Sequence, residues 1–316
     1  MNDIEFGFAA PPGDREMGRV DRTTFVTDLG RVLDVAGRIF DSIWVSDHLM
    51  EGDRYRLEPW TQLTWVAARV PGVRLGNNVL ANSYRHPALM AKMAASLQAL
   101  SGGRFILGYG AGWLEDEYRA YGYDFPSTRE RIARMDEALR LIKAMWTDAP
   151  ATFHGEFYDI ENAYCEPRPD PLPQIMIGGS GERYLLRAVA EHADWWLSYA
   201  DRRDVQERKL AALADHCRDV GRDPATIRKA VPWTVYLHRD RAAARRWAGD
   251  AIEGDRPAVA ADPAELRDRI HEAIDLGFHM VQLRFAGMMD TADIELFADE
   301  VLPHFRSAPR PAGAAP

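Results

Sequence analysis

Hydrophobic and polar positions follow two alternating patterns along nearly all of this 316-residue chain. Short runs of consecutive apolar residues, such as 42–45 and 105–109, are typical of strands that are buried on both faces. Between these runs, apolar residues such as Phe25, Leu29 and Val32 recur every three or four positions, which predicts amphipathic helices. The patterns predict eight strands, at residues 4–9, 42–45, 73–80, 105–109, 174–177, 194–198, within 228–237, and at 279–285.

Eight strand–helix units without a linker predict an α/β fold, a single (β/α)8 TIM barrel domain over residues 1–306. A doubly wound parallel sheet is the alternative, but eight regular repeats close naturally into a barrel. After the fourth helix, residues 152–160 interrupt the repeat and predict an inserted hairpin. Residues 249–262 predict a loop that acts as a lid, and residues 307–316 predict a disordered tail of small residues and proline.

The composition excludes several classes of protein. A formal net charge of −9 argues against nucleic acid and anionic membranes as partners. No apolar run approaches the roughly 18–20 residues of a membrane span, and the first residues lack the features of a signal peptide. The two cysteines form no disulfide framework, which favours a cytoplasmic location. The histidines and cysteines show no paired ligand spacing, so no metal site is predicted.

Polar or glycine-rich segments follow three of the predicted strands. They are residues 46–48 (Ser-Asp-His), 108–113 (Gly-Tyr-Gly-Ala-Gly-Trp) and 178–181 (Gly-Gly-Ser-Gly). In parallel α/β folds, ligands bind at the carboxyl ends of the strands, where these segments lie. Together they predict one cofactor site.

The glycines at 108, 110 and 112 allow two interpretations. Without β-carbons, the backbone could approach a flat ring system closely. Alternatively, the glycines serve only the geometry of a tight strand-to-helix turn. The spacing is not that of a dinucleotide-binding fingerprint, and Trp113 follows the run directly.

Asp47 and His48 follow the second strand. Asp47 could accept hydrogen bonds from a ring N–H or a hydroxyl, and His48 could act as a general acid or base near neutral pH. The alternative is that Asp47 caps the next turn and His48 is a satisfied loop residue. Asn77 and Asn78 indicate a bulge or a polar contact in the barrel mouth, or else a strand edge where asparagine meets a neighbouring backbone.

The segment 178–181 precedes a helix, whose N-terminal N–H groups can bind a phosphate. The alternative is a flexible loop with a glycine cap. A polyanionic cofactor in an acidic protein needs local cations. Four basic residues near the strand ends are candidates, namely Arg85, Lys92, Arg183 and Arg187.

Six segments together resemble the bacterial luciferase-like monooxygenase superfamily, and in particular its actinobacterial branch that uses the deazaflavin coenzyme F-420. They are residues 44–48 (WVSDH), 76–80 (GNNVL), 84–87 (YRHP), 101–104 (SGGR), 108–113 (GYGAGW) and 177–181 (IGGSG). The resemblance covers about residues 4–305. It implies a (β/α)8 barrel with an insertion, a homodimer and no tightly bound metal.

The resemblance also implies roles for individual residues. His48 would be the catalytic acid or base, and the bond between Asn78 and Val79 would be a non-prolyl cis peptide that bulges behind the cofactor ring. Residues 178–181 would hold the cofactor phosphate. The cofactor-binding residues implied are Asp47, Asn78, Val79, Ala81, Gly110, Ala111, Gly112, Gly178, Gly179, Ser180 and Gly181.

One position departs from the sugar-phosphate dehydrogenases of that family, which carry a glutamate where this chain has Trp113. Glu115 could supply a carboxylate to the substrate pocket instead. A tryptophan favours a flat or apolar substrate, and the resemblance then implies F-420-dependent hydride transfer that reduces an activated C=C or C=N bond. Two alternatives remain: an FMN-dependent monooxygenase that uses reduced flavin and oxygen, and a non-catalytic flavin-binding barrel.

Overall fold

The computed structural model describes residues 4–15, 18–199, 202–253 and 258–306, in which the predicted strands form a closed parallel barrel. Within these ranges the strands are β1 (Glu5–Ala9), β2 (Ser42–Val45), β3 (Arg74–Asn77), β4 (Leu80–Ala81), β5 (Phe105–Gly110), β6 (Ala151–His154), β7 (Asp159–Ala163), β8 (Gln174–Gly178), β9 (Trp195–Leu197), β10 (Arg228–Leu237), β11 (Ala258–Ala261) and β12 (Met280–Phe285). The barrel order is β1, β2, β3, β5, β8, β9, β10 and β12, and β12 pairs with β1 to close it. The (β/α)8 prediction is therefore confirmed.

Helices cover the outside of the barrel. In the described part of the chain they are α1 (Phe25–Ile39), α2 (Pro59–Arg69), α3 (Pro87–Ser101), α4 (Glu115–Ala120), α5 (Thr128–Thr147), α6 (Leu185–His192), α7 (Arg203–Asp219), α8 (Arg241–Ala248), α9 (Pro263–Asp275) and α10 (Ala292–Glu300). Side-chain caps set where several of them begin: the Ser127 hydroxyl accepts the Glu130 N–H at the start of α5. Among the described residues, no helix is long and apolar enough to cross a membrane.

Two insertions modify the barrel. The predicted hairpin is present as the antiparallel pair β6 and β7. The predicted loop at 249–262 is wrong in part, because it contains a short 3-10 helix (Gly249–Glu253) and β11, which pairs in parallel with β10. Along the edge of β10 that faces β9, pairing with β9 covers residues 228–230. The rest of that edge is open, and β11 pairs there with residues 234–237. The predicted tail at 307–316 lies outside the described residues.

The barrel interior is filled by side chains, and open space lies above it at the carboxyl ends of the strands. The filling residues are Trp44, Ile106, Met176, Trp195, Leu197, Ala230 and Met280. Val79 packs on this cluster from the carboxyl side of the strands. A larger apolar layer joins the outer face of the strands to the helices.

Strands β3 and β5 approach each other closely at Gly108. A β-carbon built on Gly108 would lie only 1.7 Å from the Asn77 carbonyl oxygen, a backbone atom that no rotamer change can move. Any side chain at position 108 would therefore push the two strands apart.

We predict that Gly108→Ala destabilises the protein by at least ~3 kcal/mol, at the upper end of overpacking costs, because the new methyl group meets backbone. The measurement is thermal or urea unfolding followed by circular dichroism. Gly181→Ala is the matched control, since its β-carbon would make only an ordinary 3.7 Å contact with Leu185. Equal stability of the two variants would contradict the close approach.

Candidate cofactor and active site

A cavity of about 710 Å³ opens at the carboxyl ends of the barrel strands. This volume is within the range of sites for drug-sized ligands and cofactors. All eleven residues predicted to bind a cofactor line the cavity, as do His48 and Trp113. The tertiary structure thus brings together the three segments that follow β2, β5 and β8.

The floor of the cavity is a break in the third barrel strand. Strand β3 ends at Asn77, the Asn78–Val79 peptide is cis, and the chain resumes as β4, which pairs with β5. The cis peptide expected from the resemblance is therefore confirmed. The Tyr199 hydroxyl donates to the Asn78 carbonyl oxygen at 3.1 Å, and the Asn78 amide donates to Gln282 at 3.1 Å.

Val79 explains two of the cavity glycines. β-Carbons built on Gly110 and Gly178 would lie 2.7 and 2.8 Å from its methyl groups. Gly112 has a φ of 75°, and a β-carbon there would lie 1.7 Å from the Tyr118 hydroxyl. The glycines therefore accommodate protein atoms, which the sequence interpretation of close approach to a flat ligand did not anticipate.

His48 is oriented by Glu117, a residue that the sequence analysis missed. The His48 Nδ1 lies 3.1 Å from the Glu117 carboxylate, which is 1% exposed. The same carboxylate accepts the Met50 N–H at 3.0 Å, the Tyr84 hydroxyl at 2.8 Å and the Leu49 N–H. In the described structure no other hydrogen bond to His48 is found, so its Nε2 is the ring nitrogen left for a ligand.

The hydrogen bonds keep Glu117 ionised despite its burial. Burial opposes the charged form, but the bond from His48 and its charge, with the Met50 N–H and Tyr84, hold the pKa of Glu117 below its ordinary value. Burial and this carboxylate raise the pKa of Tyr84, which stays a hydrogen-bond donor. The buried carboxylate thus fixes the loop after β2 and the tautomer of His48.

The position of Glu117 could have been found from helical spacing. Leu114, Glu117 and Tyr118 are three and four residues apart, which places the carboxylate on the apolar face of α4. Glu115 lies on the other face, is exposed and pairs with Arg119 at 2.9 Å. Glu115 does not line the cavity, so the prediction that it belongs to the substrate pocket is wrong in this structure.

Trp113 lies at the mouth of the cavity. Its side chain is 59% exposed, and its ring meets the His48 ring edge to face at a centroid distance of 5.7 Å. Trp233 and Tyr199 contribute further aromatic surface to the same cavity. Trp113 thus lies beside His48, and the cavity as a whole carries further aromatic surface.

Asp47 forms a buried ion pair with Arg85. Both carboxylate oxygens accept from the guanidinium at 3.1 Å, and one also accepts the Ala81 N–H at 2.7 Å. Burial raises the pKa of Asp47 and Arg85 opposes that rise. Burial alone would lower the pKa of Arg85, but the ion pair raises it, so the guanidinium stays charged. Asp47 thus ties β4 to the end of β2, and its contact with a cofactor stays a prediction.

Residues 178–181 form a loop, and two side chains of α7 form hydrogen bonds to its backbone and to that of the next residue. Lys209 donates to the Ser180 carbonyl oxygen, and a nitrogen of His216 lies 2.8 Å from the Glu182 carbonyl oxygen. In the described structure the Ser180 hydroxyl oxygen is buried without a hydrogen-bond partner, and so is Oδ1 of Asn78. Unsatisfied buried polar atoms in a cavity fit a ligand that supplies their partners.

The four cations expected near the site are engaged elsewhere. Arg85 pairs with Asp47, Lys92 donates to the Glu166 carbonyl, Arg187 pairs with Glu191, and Arg183 lies over the Tyr184 ring. None of the four lines the cavity among the described residues. The basic residues that do line it are Arg131 and Arg284.

Outside the cavity, three side chains of the kinds that can bind a metal ion have ligand atoms within 4.8 Å of one another, namely those of Asp136, Glu191 and His192. Each already has a protein partner. His192 lies 2.8 Å from Asp136, which also pairs with Arg140, and Glu191 pairs with Arg187. The arrangement is that of an ion-pair network.

Comparison with known proteins identifies the family of the chain. The family described as luciferase-like monooxygenase matches residues 4–302. An F-420-dependent glucose-6-phosphate dehydrogenase of Kineococcus radiotolerans is 32% identical over 304 residues, 84% of this chain and 89% of that protein. An F-420-dependent hydroxymycolic acid dehydrogenase of Mycobacterium tuberculosis is 31% identical over 236 residues, 72% of this chain and 64% of that protein.

A solved structure with a similar fold is that of an F-420-dependent secondary alcohol dehydrogenase in complex with an F-420–acetone adduct. It matches with a TM-score of 0.82 and 18% identity, over 96% of this chain and 99% of that chain. At this identity the match supports the barrel fold alone.

We predict that Glu117→Gln lowers the free energy of unfolding by about 1–3 kcal/mol at pH 7, because charge-assisted bonds in a buried site are weakened. The lowered pKa of Glu117 adds stability that is present above its ordinary value of 4.5 and lost as pH falls through the folded value. The deficit of the variant should therefore shrink below about pH 4.5.

The measurement is urea unfolding at pH 7 and at pH 4, with Glu115→Gln as the matched control two residues away. Histidine ring 15N NMR at pH 7 should show His48 protonated at Nδ1 in the native protein and the control. Equal stability of both variants at pH 7, or an unchanged ring spectrum in Glu117→Gln, would contradict the orienting role.

Proposed function

The chain belongs to the luciferase-like monooxygenase family, and from this premise we propose that it is an oxidoreductase that transfers a hydride between coenzyme F-420 and a small organic substrate. The observation that carries the proposal is the placement of His48, oriented by Glu117, on the cavity that also contains the 78–79 bulge and the 178–181 loop. Both curated relatives described above are named as F-420-dependent dehydrogenases.

The cavity suits a ring with a phosphorylated side chain. The bulge places Asn78 and Val79 at the centre of the cavity floor. The glycines of β5 and β8 leave room for the Val79 methyl groups, so Val79 packs closely between these two strands. The 178–181 loop offers the buried Ser180 hydroxyl at the edge. When bound, the deazaflavin supplies the hydride chemistry, and the protein supplies binding and orientation.

His48 is placed to move the proton that accompanies hydride transfer. Glu117 accepts from Nδ1, which leaves Nε2 facing the cavity as the atom that donates or takes a proton. Trp113 packs edge to face against the His48 ring.

The substrate class follows from the walls of the pocket. By the resemblance, Trp113 stands where the sugar-phosphate dehydrogenases carry a glutamate, and Glu115 pairs with Arg119 outside the cavity lining, so neither residue places a carboxylate at this position. Trp113, Trp233 and Tyr199 favour a flat or apolar molecule. We propose reduction of an activated C=C or C=N bond, and the relative named as a hydroxymycolic acid dehydrogenase adds carbonyl and alcohol pairs to the substrates to be tested.

Two alternatives use the same site. An FMN-dependent monooxygenase would bind a phosphorylated flavin in this cavity and consume oxygen. A non-catalytic flavin-binding barrel would not need the buried network that orients His48. A homodimer is proposed from the resemblance and is tested by light scattering of the purified protein.

We predict that F-420 binds more tightly than FMN to the purified protein, because the family branch it resembles uses the deazaflavin. The measurement is quenching of tryptophan fluorescence, since Trp113 and Trp233 line the cavity. Tighter binding of FMN, with oxygen uptake in the presence of reduced FMN, would replace the proposal with a monooxygenase.

We predict that His48→Ala lowers kcat by ~100-fold or more while the Kd for F-420 changes little, because general acid–base catalysis contributes on that scale. Substrates are found by screening activated alkenes, imines and ketones with reduced F-420 without oxygen. His86→Ala, at a histidine outside the cavity, is the control. Unchanged turnover in His48→Ala would remove the histidine from the mechanism and favour a binding role.

A further inference from the structure

Two side chains bond the cavity floor to the far side of the barrel. Tyr199 follows β9, and its hydroxyl donates to the Asn78 carbonyl oxygen at 3.1 Å. Gln282 lies within β12, and its side-chain oxygen accepts the Asn78 side-chain amide at 3.1 Å. In the barrel order, β9 and β12 flank β10, which is the strand opposite β3. The bulge at 78–79 is therefore held from across the barrel mouth.

Other contacts already fix the path of the chain through the bulge. The Asn78 N–H donates to the Val45 carbonyl oxygen of β2 at 3.1 Å. Directly after the bulge, β4 pairs with β5, and the Val79 methyl groups occupy the space that Gly110 and Gly178 leave open. The path thus depends on the neighbouring strands, whereas a bond from the opposite wall acts on the position of the floor within the cavity.

Tyr199 lies where it can contact a ligand on that floor. It lines the cavity and is 36% exposed, although its hydroxyl bonds to protein. A β-carbon built on Gly178 would lie 3.5 Å from the Tyr199 ring, so this ring borders the same glycine that accommodates Val79. Its apolar ring can meet a ligand while its hydroxyl holds the floor.

Gln282 is suited to hold Asn78 because its other contacts are weak. It is buried, and its Nε2 lies 3.7 and 3.8 Å from the sulfur atoms of Met176 and Met280. A thioether sulfur is a weak acceptor, so the bond to Asn78 is the strongest that holds this amide in the described structure. The two amides therefore orient each other.

We infer that Tyr199 and Gln282 are positioning residues, which hold Asn78 so that a ring bound on the floor lies at a fixed distance from the substrate. The inference rests on the proposed function for hydride transfer, whereas the hold on the floor serves any ring bound there. Distance matters for this chemistry, because a misplacement of about 1 Å can cost ~100-fold in rate. Loss of either bond should therefore lower kcat more than affinity.

The experiment removes each bond by a small change. Tyr199→Phe keeps the ring and removes the hydroxyl, and Gln282→Met removes the acceptor from a buried side chain of similar length. Tyr164→Phe, at a tyrosine that is 65% exposed and outside the cavity lining, is the matched control. Each variant is compared with the native protein by thermal unfolding, by the Kd for F-420 and for FMN, by visible circular dichroism of the bound ring, and by kcat with a substrate from the screen described above.

Tyr199→Phe should lower kcat by about 10-fold, as expected for a displacement well below 1 Å, and leave the Kd of the preferred ring nearly unchanged. Its Tm should fall by only a few degrees, the shift for one neutral hydrogen bond. The visible circular dichroism of the bound ring should change, because this signal arises from fixed asymmetric surroundings. Gln282→Met should act in the same direction, and Tyr164→Phe should match the native protein in all four measurements.

A merely structural role would lower Tm and weaken binding of the ring while kcat at saturation stays native, and that result would overturn the inference. A native kcat with an unchanged spectrum in Tyr199→Phe would overturn it as well. If the native protein binds FMN and transfers no hydride with F-420, the proposed function fails, but a changed spectrum of bound FMN in Tyr199→Phe still supports the positioning role. Binding of neither ring would overturn both.

Discussion

The packing of Val79 between two glycine-containing strands is the constraint on which the rest of the site depends. Gly110 of β5 and Gly178 of β8 leave just enough room for its methyl groups, and Gly108 lets the Asn77 carbonyl approach β5. The third barrel strand can therefore stop, bulge into the barrel mouth and resume as β4. The bulge closes the apolar interior below and forms the floor of the cavity above.

A second constraint is that two buried carboxylates beside that floor each need several hydrogen-bond donors. Asp47 is satisfied by Arg85 and the Ala81 N–H, which anchors β4 directly after the bulge. Glu117 is satisfied by donors from His48, Tyr84 and the backbone of the next loop. Each carboxylate thus stabilises a backbone segment and also orders a cavity wall, so the geometry of the site and the stability of the fold are linked.

Arg131 differs from these two carboxylates because no protein group of opposite charge completes it among the described residues. The Ser180 hydroxyl at the same cavity is incomplete in the same sense.

The periodicity of the chain was enough to predict the eight barrel strands and the inserted hairpin, because parallel strands and amphipathic helices leave local apolar patterns. The polar and glycine-rich segments after three of these strands predicted which strand ends meet at the cavity, since parallel strands carry their carboxyl ends to one edge. Strand β11 was not predicted, because a short Ala-Val-Ala-Ala segment forms a strand only where β10 offers an open edge.

The sequence by itself thus determined the barrel and the strand ends that line the cavity, because both follow from local patterns along the chain. Only the tertiary structure decided that Glu117 rather than Glu115 faces His48, and that the glycines receive Val79 and Tyr118. It also decided that Arg131 of α5 is buried at the cavity, whereas the four cations that the sequence suggested lie outside its lining. The reason is that burial and partners depend on residues distant in sequence, which local patterns do not contain.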